Sequence, residues 1–281
     1  MCQNKINIRF ANDTDTKAVI NLWNMCFPDE SGFNEYFFNK LYKPEYNLLL
    51  FKDDILCSMA QMLPYEMQSN GKIENVTYIY GACTHKDYRR QHLMDKLLNY
   101  SFEIDKKNNV SASILIPQEK WLFDFYAKFD YKPMFNISEM KLNNYIECED
   151  EISITKAGDI DNMQSLYNLV AGNKYHVIRD KLEWQRQIDL FNNCGGQAIC
   201  MYNLQNEFIG YAFIWLDKNS FYAQEFVFKP EYKNICIANM QRYFKIPNCK
   251  LSGLQFDNAY ALGCIRKNDN TSTGYINLML N

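Results

Sequence analysis

Basic side chains follow an apolar stretch in the first third of the sequence. The stretch Asn75–Cys83 predicts a buried strand, and the apolar residues from Leu93 onward are spaced as on one face of a helix. Lys86, Arg89 and Arg90 lie between these two elements. The free N–H groups at the start of a helix bind phosphate oxygens, and an arginine can contact such oxygens with two N–H groups at once. The segment therefore predicts a local phosphate site, and a solvated cationic helix end without a ligand is the alternative.

The charge of the whole chain does not direct it to a polyanion. Its 281 residues include 33 acidic and 30 basic side chains, so neither nucleic acid nor an anionic membrane is expected as a partner. No apolar run approaches the ~18 residues of a membrane span, and Met1–Lys5 lacks the hydrophobic core of a signal peptide, which predicts a cytoplasmic protein. The hydrophobic content of 47% is sufficient for two globular domains. The oligomeric state stays open.

The cysteines and histidines do not predict a metal centre. The ten cysteines never form a Cys-x-x-Cys pair, and only three histidines are present. In a reducing compartment, scattered cysteines are mostly small buried hydrophobic residues. We therefore expect no metal cofactor.

A short internal repeat predicts a duplicated domain. The segments 6–15 and 152–161 share five identities in ten positions, and each has an alternating strand pattern followed by a helix start. The polar and acidic run 141–151 suits a connection between two cores. We therefore predict one domain at 1–145 and a second at 146–281.

The order of predicted elements indicates a mixed α/β fold. The first half alternates apolar runs with helical spacing, and the second half repeats the same order. The predicted elements of the first half are strands at 6–10, 46–51, 56–63, 75–83, 110–117 and 131–135, with helices around 19–26, 93–104 and 118–128. Those of the second half include strands at 197–202, 208–216, 221–228 and 275–280, with a helix through 237–243. Several antiparallel strands joined to a βαβ unit predict a mixed sheet.

Two motifs of the first half resemble a known superfamily. Thr84–Met94 resembles the acetyl-CoA signature of the GCN5-related N-acetyltransferases (GNAT), and Phe125–Tyr131 resembles their last helix-to-strand segment. The duplicated layout and His176–Asp180 make the chain similar to tandem-domain relatives of the enhanced intracellular survival acetyltransferases, without their third C-terminal domain. The resemblance implies two tandem GNAT-like domains, each a mixed, mostly antiparallel sheet flanked by helices.

The resemblance further implies that the first domain binds acetyl-CoA as a cosubstrate. The loop Arg89–Met94 would wrap the pyrophosphate, and the strand edge Ala82–Thr84 would pair with the pantetheine arm. The residues implied in cofactor binding are Ala82, Cys83, Thr84, Arg89, Arg90, Gln91, His92, Leu93 and Met94. His92 stands where the superfamily normally has glycine, which lets the backbone approach the phosphate. Tyr232–Cys236 of the second half has one cation in place of the arginine pair, so that half is expected to be cofactor-free.

Direct acetyl transfer to an amine is the chemistry that the resemblance implies. Tyr126 would act as the general acid for the departing thiolate, although helical spacing alone favours an aromatic packing role for Tyr126. No general base is predicted. The terminal carboxylate of Asn281 would take part only if the last predicted strand faces the first domain.

The loop between the first two predicted helices combines carboxylates with aromatic rings. Phe27, Asp29, Glu30 and Phe33 suit a cationic amine through charge and cation–π contact, and a solvated turn is the alternative. The sequence thus predicts an N-acetyltransferase for an amine of a small molecule or peptide. A catalytically weakened module of the same fold, which binds or senses coenzyme A, is the alternative that His92 favours.

Overall fold

Fourteen β-strands and seven α-helices form residues 5–267 and 273–279, the part that this computed structural model describes. The strands are β1 (Ile6–Phe10), β2 (Asn47–Lys52), β3 (Ile55–Ser69), β4 (Lys72–Thr84), β5 (Ala112–Leu115), β6 (Lys132–Leu142), β7 (Ser153–Lys156), β8 (Tyr175–Val177), β9 (Gly196–Tyr202), β10 (Phe208–Leu216), β11 (Phe221–Phe228), β12 (Cys249–Gly253), β13 (Asn258–Arg266) and β14 (Gly274–Tyr275). The helices are α1 (Thr16–Cys26), α2 (Phe33–Lys40), α3 (Leu93–Lys107), α4 (Trp121–Ala127), α5 (Ile160–Ala171), α6 (Lys181–Asn193) and α7 (Lys233–Phe244). Within these ranges, no helix has the length and apolar character needed to cross a lipid bilayer.

The fold divides into two units, and the first is a mixed sheet with helices on both faces. This unit comprises Met1–Met134 with Gly263–Thr271. Its strands lie in the order β1, β2, β3, β4 and β5, and residues 264–266 of β13 pair with β5. Of these neighbours, only β4 and β5 run parallel. Successive side chains of a strand point to opposite faces. Ile79 accordingly joins the core under α3, whereas the ring of Tyr80 contacts the aromatic residues of α1 and α2.

The second unit, Phe135–Leu262 with Ser272–Asn281, repeats this plan. Its strands lie in the order β7, β9, β10, β11 and β12, and residues 138–142 of β6 pair with β12. Here β11 and β12 are the parallel neighbours in that row, and the others are antiparallel. Helix α7 packs into an apolar core through Ile237 and Met240. The predicted pair of mixed, mostly antiparallel sheets flanked by helices is confirmed.

The two units divide at residues 134 and 135, before the boundary that the sequence predicts at residue 145. The physical reason is that residues 138–142 of β6, which precede or begin the predicted linker, are hydrogen-bonded to β12 and so belong to the second sheet. The sequence also does not predict that residues 264–266 complete the first sheet. Each sheet therefore ends on a strand contributed by the other half of the sequence.

The last predicted strand, 275–280, overlaps β14 only at Tyr275, and the described residues 276–279 that follow are not in a strand. Residues 280 and 281 lie outside the described part of the chain. The expected strand is therefore wrong for residues 276–279. The side chain of Asn277 donates to the carbonyl of Gln224 at 2.8 Å, and its own carbonyl accepts from Arg179 at 2.9 Å. Hydrogen bonds to side chains thus replace strand pairing at this position.

A buried ion pair lies at the centre of the second unit. The guanidinium of Arg179 and the carboxylate of Glu225 are 1% and 0% exposed and make two hydrogen bonds to each other. The hydroxyls of Tyr211 and Tyr275 also donate to Glu225, at 2.9 and 2.8 Å, and the Tyr167 ring lies 4.4 Å from the guanidinium. Burying two charges is tolerated when both are paired and hydrogen-bonded, as they are here. Arg179, part of a motif that the sequence associates with the family, is therefore a core residue.

Candidate active site

The edge of β4 is open over its last residues. β4 pairs with β5 only through Val76–Tyr78, and among residues 5–267 and 273–279 no strand pairs with residues 79–84 on that side. An unpaired strand edge offers N–H and C=O groups to an extended ligand. Ala82–Thr84, the segment expected to pair with pantetheine, lies within this open edge.

A β-bulge bends β4 where the open edge begins. Cys83 pairs with Met59 of β3 and Tyr80 pairs with Gln61, so two residues of β4 face a single residue of β3. The first of these two residues is Gly81, whose φ is +59°. A bulge bends its strand and increases the local twist, which accounts for the divergence of β4 from β5.

Trp23 of α1 explains why glycine is required at this bulge. A Cβ atom on Gly81 would lie 2.2 Å from Cζ3 of the Trp23 ring. The ring is fixed in place because Trp23 Nε1 donates to Asn34 Oδ1 at 2.8 Å and the ring stacks on Phe37 with centroids 5.1 Å apart. The contact between Gly81 and Trp23 was not predicted from the sequence, although a glycine inside a strand pattern often marks a bulge.

The loop 89–92 presents a helix N-terminus at the end of the open edge. It follows a 3₁₀ turn at Lys86–Tyr88, and Arg90 and His92 both adopt left-handed backbone conformations, with φ of +61° and +55°. The backbone bond from Lys96 N–H to the carbonyl of His92, at 3.2 Å, closes the first turn of α3. The N–H groups before it have no acceptor within the helix, and together with the helix dipole they favour an anion.

Three cations surround this loop. Arg89 Nε donates to the carbonyl of Thr84 at 3.2 Å, and Arg90 is exposed. Lys52, at the end of β2, donates from Nζ to Oε1 of Gln91 at 2.9 Å. The structure therefore brings the predicted residues Thr84, Arg89, Arg90 and Gln91 together and adds Lys52, which sequence spacing could not connect to the loop.

His92 directs its side chain away from the protein. The side chain is 82% exposed, and Nδ1 lies 2.7 Å from Oδ2 of Asp95. The departure from glycine therefore places a side chain in solvent, and the backbone still adopts the left-handed conformation that glycine adopts without strain. Leu93 is buried in the core and Met94 is half-buried, so the side chains of these two predicted residues pack against the protein.

Tyr126 lies in the core of the first unit, 8% exposed, at the end of α4. Its ring contacts those of Phe125 and Tyr131, with centroids 5.2 and 5.7 Å apart. Burial, assisted by the thiols of Cys264 and Cys83, raises the pKa of the Tyr126 hydroxyl to about 12. The hydroxyl is therefore protonated at neutral pH, close to a residue of the open edge. This geometry fits both the packing role and the general acid role.

The aromatic residues of the predicted substrate loop pack against the protein. The half-buried ring of Phe27 lies 4.9 Å from that of Trp23, and the half-buried ring of Phe33 stacks on Phe37 at 5.9 Å. These contacts give Phe27 and Phe33 a packing role, and whether the loop binds an amine or is a solvated turn stays a prediction.

The carboxylates of the same loop are exposed, but one of them is engaged. Oδ1 of Asp29 accepts hydrogen bonds from the backbone N–H and hydroxyl of Ser31, and Oδ2 accepts from the N–H of Asn34 in the first turn of α2. Desolvation raises the pKa of Asp29, but these hydrogen bonds outweigh it and hold the pKa below its usual value. Asp29 thus stabilises the start of α2, and Glu30 is left as the solvated carboxylate of the loop.

The second unit has no counterpart of the loop 89–92 before its helix α7. The 3₁₀ turn Pro230–Tyr232 leads directly into α7 at Lys233, with no residues that correspond to 89–92. Tyr232, which precedes α7, has φ of −99° and not the left-handed conformation of His92.

The corresponding strand edge of the second unit, at the end of β11, is occupied by the side chain of Gln255. Oε1 of Gln255 accepts from the N–H of Phe228 at 3.1 Å, and Nε2 donates to the carbonyl of Phe228 at 2.7 Å. Phe228 ends β11 as Thr84 ends β4, in both cases just before the 3₁₀ turn. Gly253 also packs so closely that a Cβ there would lie 2.5 Å from the carbonyl oxygen of Phe226. Both features support the prediction that this half takes no cofactor.

Asn281, whose carboxylate the sequence offered as a catalytic group, lies outside the described residues. Among residues 5–267 and 273–279, no group of three or more His, Cys, Asp or Glu side chains is arranged to hold a metal ion.

Comparison with known proteins identifies the first unit. Residues 7–134 match a family model described as an acetyltransferase (GNAT) domain. No curated protein matches the chain.

Solved structures share the fold of nearly the whole chain. A probable N-acyltransferase from Enterococcus faecalis V583 is 14% identical with a TM-score of 0.74, and the match covers 94% of this chain and 73% of that one. Eis1 from Mycobacterium abscessus is 9% identical with a TM-score of 0.62, over 94% of this chain and 73% of that one. A tandem GNAT protein of the clavulanic acid biosynthesis pathway is 8% identical with a TM-score of 0.57, over 96% and 100%. The resemblance to tandem GNAT proteins is confirmed.

Proposed function

Residues 7–134 belong to the GNAT acetyltransferase domain family, and on that premise we propose that the first unit transfers an acetyl group from acetyl-CoA to an amine. The observation that supports this most directly is the open edge of β4 leading into the loop 89–92 at the start of α3. An extended chain and a pyrophosphate are the ligand parts that such an edge and such a helix start recognise.

The residues present fit this cosubstrate. Ala82, Cys83 and Thr84 would offer backbone groups to the pantetheine arm, and Gln91 to Met94 would offer backbone N–H groups to the pyrophosphate. Arg90, with Lys52 and the outer nitrogens of Arg89, would balance its negative charge. The exposed ring of His92 leaves these N–H groups accessible, so its presence does not oppose binding.

The thioester supplies an activated acetyl carbon and a thiolate leaving group. In the proposed reaction, the neutral amine nitrogen forms the amide bond and the C–S bond breaks. Tyr126 donates its hydroxyl proton to the departing sulfur, and the amine proton passes to water. The raised pKa of Tyr126 keeps the hydroxyl protonated before this step. The acceptor would be an amine of a small molecule or peptide.

Calorimetry with acetyl-CoA tests the binding step. The double substitution Arg89→Ala with Arg90→Ala removes two charged hydrogen bonds, each worth about 1.5–3 kcal/mol, and we expect the binding free energy to weaken by about 3–6 kcal/mol in total, roughly 10²-fold to 10⁴-fold in affinity. Lys106→Ala with Lys107→Ala is the matched control, because it removes the same charge from the opposite end of α3. Equal losses in both double variants, or no binding by the wild type, would contradict the proposal.

Steady-state kinetics with a panel of polyamines, aminoglycosides and peptides tests the chemical step. Once an acceptor is found, Tyr126→Phe is expected to lower turnover about 10²-fold or more with little change in acetyl-CoA affinity. Phe125→Leu on the same helix is the control for packing. Unchanged turnover in Tyr126→Phe would assign Tyr126 to packing alone.

A further inference from the structure

Two thiols and an arginine meet at the carbonyl of Thr84. The thiol of Cys26, the last residue of α1, donates to this oxygen at 3.7 Å, and Arg89 Nε donates to it at 3.2 Å. Cys83 directly precedes Thr84 in β4, and the thiols of Cys26 and Cys83 lie close enough to shift each other's pKa. The fold therefore places side by side two cysteines that are far apart in the sequence.

The two thiols differ in access and acidity. Cys26 is half-buried, whereas Cys83 is buried. Contact with Cys83 and, after it, with Arg89 lowers the pKa of the Cys26 thiol to about 7 in spite of its partial burial. Contact with Cys26 and burial raise the pKa of Cys83 well above its ordinary value. Cys26 therefore ionises more readily than an ordinary cysteine, beside a thiol that stays neutral.

Other cysteines of the described residues have a different environment. Burial raises the pKa of Cys57, and it raises the pKa of both Cys236 and Cys264 to about 12. Such thiols are inert, whereas an accessible thiolate next to a second thiol is the arrangement of redox-active cysteine pairs.

We propose that Cys26 and Cys83 are a reversible redox pair that closes to a disulfide on reaction with a hydroperoxide. The Cys26 sulfur attacks the terminal peroxide oxygen, the O–O bond breaks, and an alcohol or water leaves with one proton, so that Cys26 becomes a sulfenic acid. The Cys83 sulfur then attacks the Cys26 sulfur, the S–O bond breaks, and water leaves with the proton of Cys83. The two thiols lose two electrons and the hydroperoxide gains them.

The Cys26–Cys83 pair would give the candidate site a second chemistry beside the proposed acetyl transfer. Its disulfide would join the end of α1 to the open edge of β4, at the residue before Thr84. The chemistry itself does not require acetyl-CoA, so its failure and the failure of the proposed transferase activity are separately measurable.

Peptide mass spectrometry of the full chain after treatment with hydrogen peroxide tests the disulfide. We expect a linked peptide containing Cys26 and Cys83 that a dithiol reductant removes. Cys83→Ser should stop at a sulfenic acid on Cys26 that dimedone traps, and Cys26→Ser should give neither product. Cys57→Ser, which removes another buried thiol, should behave as the wild type. A wild type without the linked peptide would overturn the proposal, as would a linked peptide that joins Cys26 to a different cysteine.

The pH dependence of alkylation tests the reactive thiolate without relying on a folded Cys83 variant. At pH 7, iodoacetamide should modify Cys26 at least about tenfold faster than Cys148, which is also half-buried. The midpoint of Cys26 modification should lie near pH 7 and move upward in Arg89→Ala. Equal rates for the two cysteines, or a midpoint that Arg89→Ala leaves unchanged, would overturn the role assigned to this cluster.

Discussion

Replacing Gly81 with alanine should destabilise the first unit far more than a glycine substitution at a comparable turn. Two costs add at this position. The left-handed backbone, with φ of +59°, costs an alanine about 1 kcal/mol, and the Cβ placed 2.2 Å from the Trp23 ring forces repacking that costs about 1–3 kcal/mol. The total is roughly 2–4 kcal/mol, or a lowering of Tm by about 5–15 °C at ~2–4 °C per kcal/mol.

Gly71→Ala is the matched control, because Gly71 has φ of +78° and no atom within 4 Å of the position of a Cβ. It should cost only the backbone term of about 1 kcal/mol. Urea unfolding followed by circular dichroism, together with thermal unfolding, measures both variants. A Trp23→Leu background should reduce the extra cost of Gly81→Ala to that of Gly71→Ala, because the clash is removed. Equal destabilisation by the two glycine substitutions in the wild-type background would refute the explanation of the bulge.

Three further predictions concern other residues. Burial raises the pKa of the Asp105 carboxyl to about 6, although the hydrogen bond from Thr77 opposes this shift, so wild-type stability should fall as pH rises from about 4 to 6. In urea titrations, Asp105→Asn should remove that pH dependence and stabilise the protein at pH 7 by roughly 1–3 kcal/mol. A pH dependence that persists in the variant would contradict this cause. Arg179→Met should cost about 3–5 kcal/mol in the same assay, because it leaves Glu225 charged and buried without its partner, and a loss below 1 kcal/mol would contradict the buried pair. His92→Gly should change acetyl-CoA affinity by less than about threefold in calorimetry while raising stability by up to about 1 kcal/mol, and a gain of tenfold or more in affinity would indicate that His92 obstructs the loop.

Sequence periodicity was sufficient for elements whose burial is encoded locally. The strands predicted at 208–216 and 221–228 coincide with β10 and β11, because each is a mostly apolar run that is buried on both faces over most of its length. β13 was not predicted, because its first residues are exposed and show no buried pattern. Its last three residues pair with β5, which lies far away in the sequence. The strand expected at 275–280 fails for the opposite reason: its residues are buried, but side chains satisfy its polar groups.

The candidate site was predictable where one continuous segment forms it. The motif from Thr84 to Met94 carries the open edge, the loop and the helix start in sequence order. The residues that the sequence could not connect reach the site from other elements, namely Lys52 from β2 and Trp23 from α1. Their roles depend on strand register and side-chain packing, which a single sequence does not display.

Each sheet ends on a strand from the other half of the sequence, and this arrangement affects how the protein folds during synthesis. Residues 264–266, which finish the sheet beside β5, are synthesised long after β5, so the first unit has an incomplete sheet edge until they emerge. A nascent polypeptide cut at residue 145 would keep the loop 89–92 and the open edge of β4 and still lack that strand. We therefore expect the first unit to complete its fold only after most of the second unit has been synthesised.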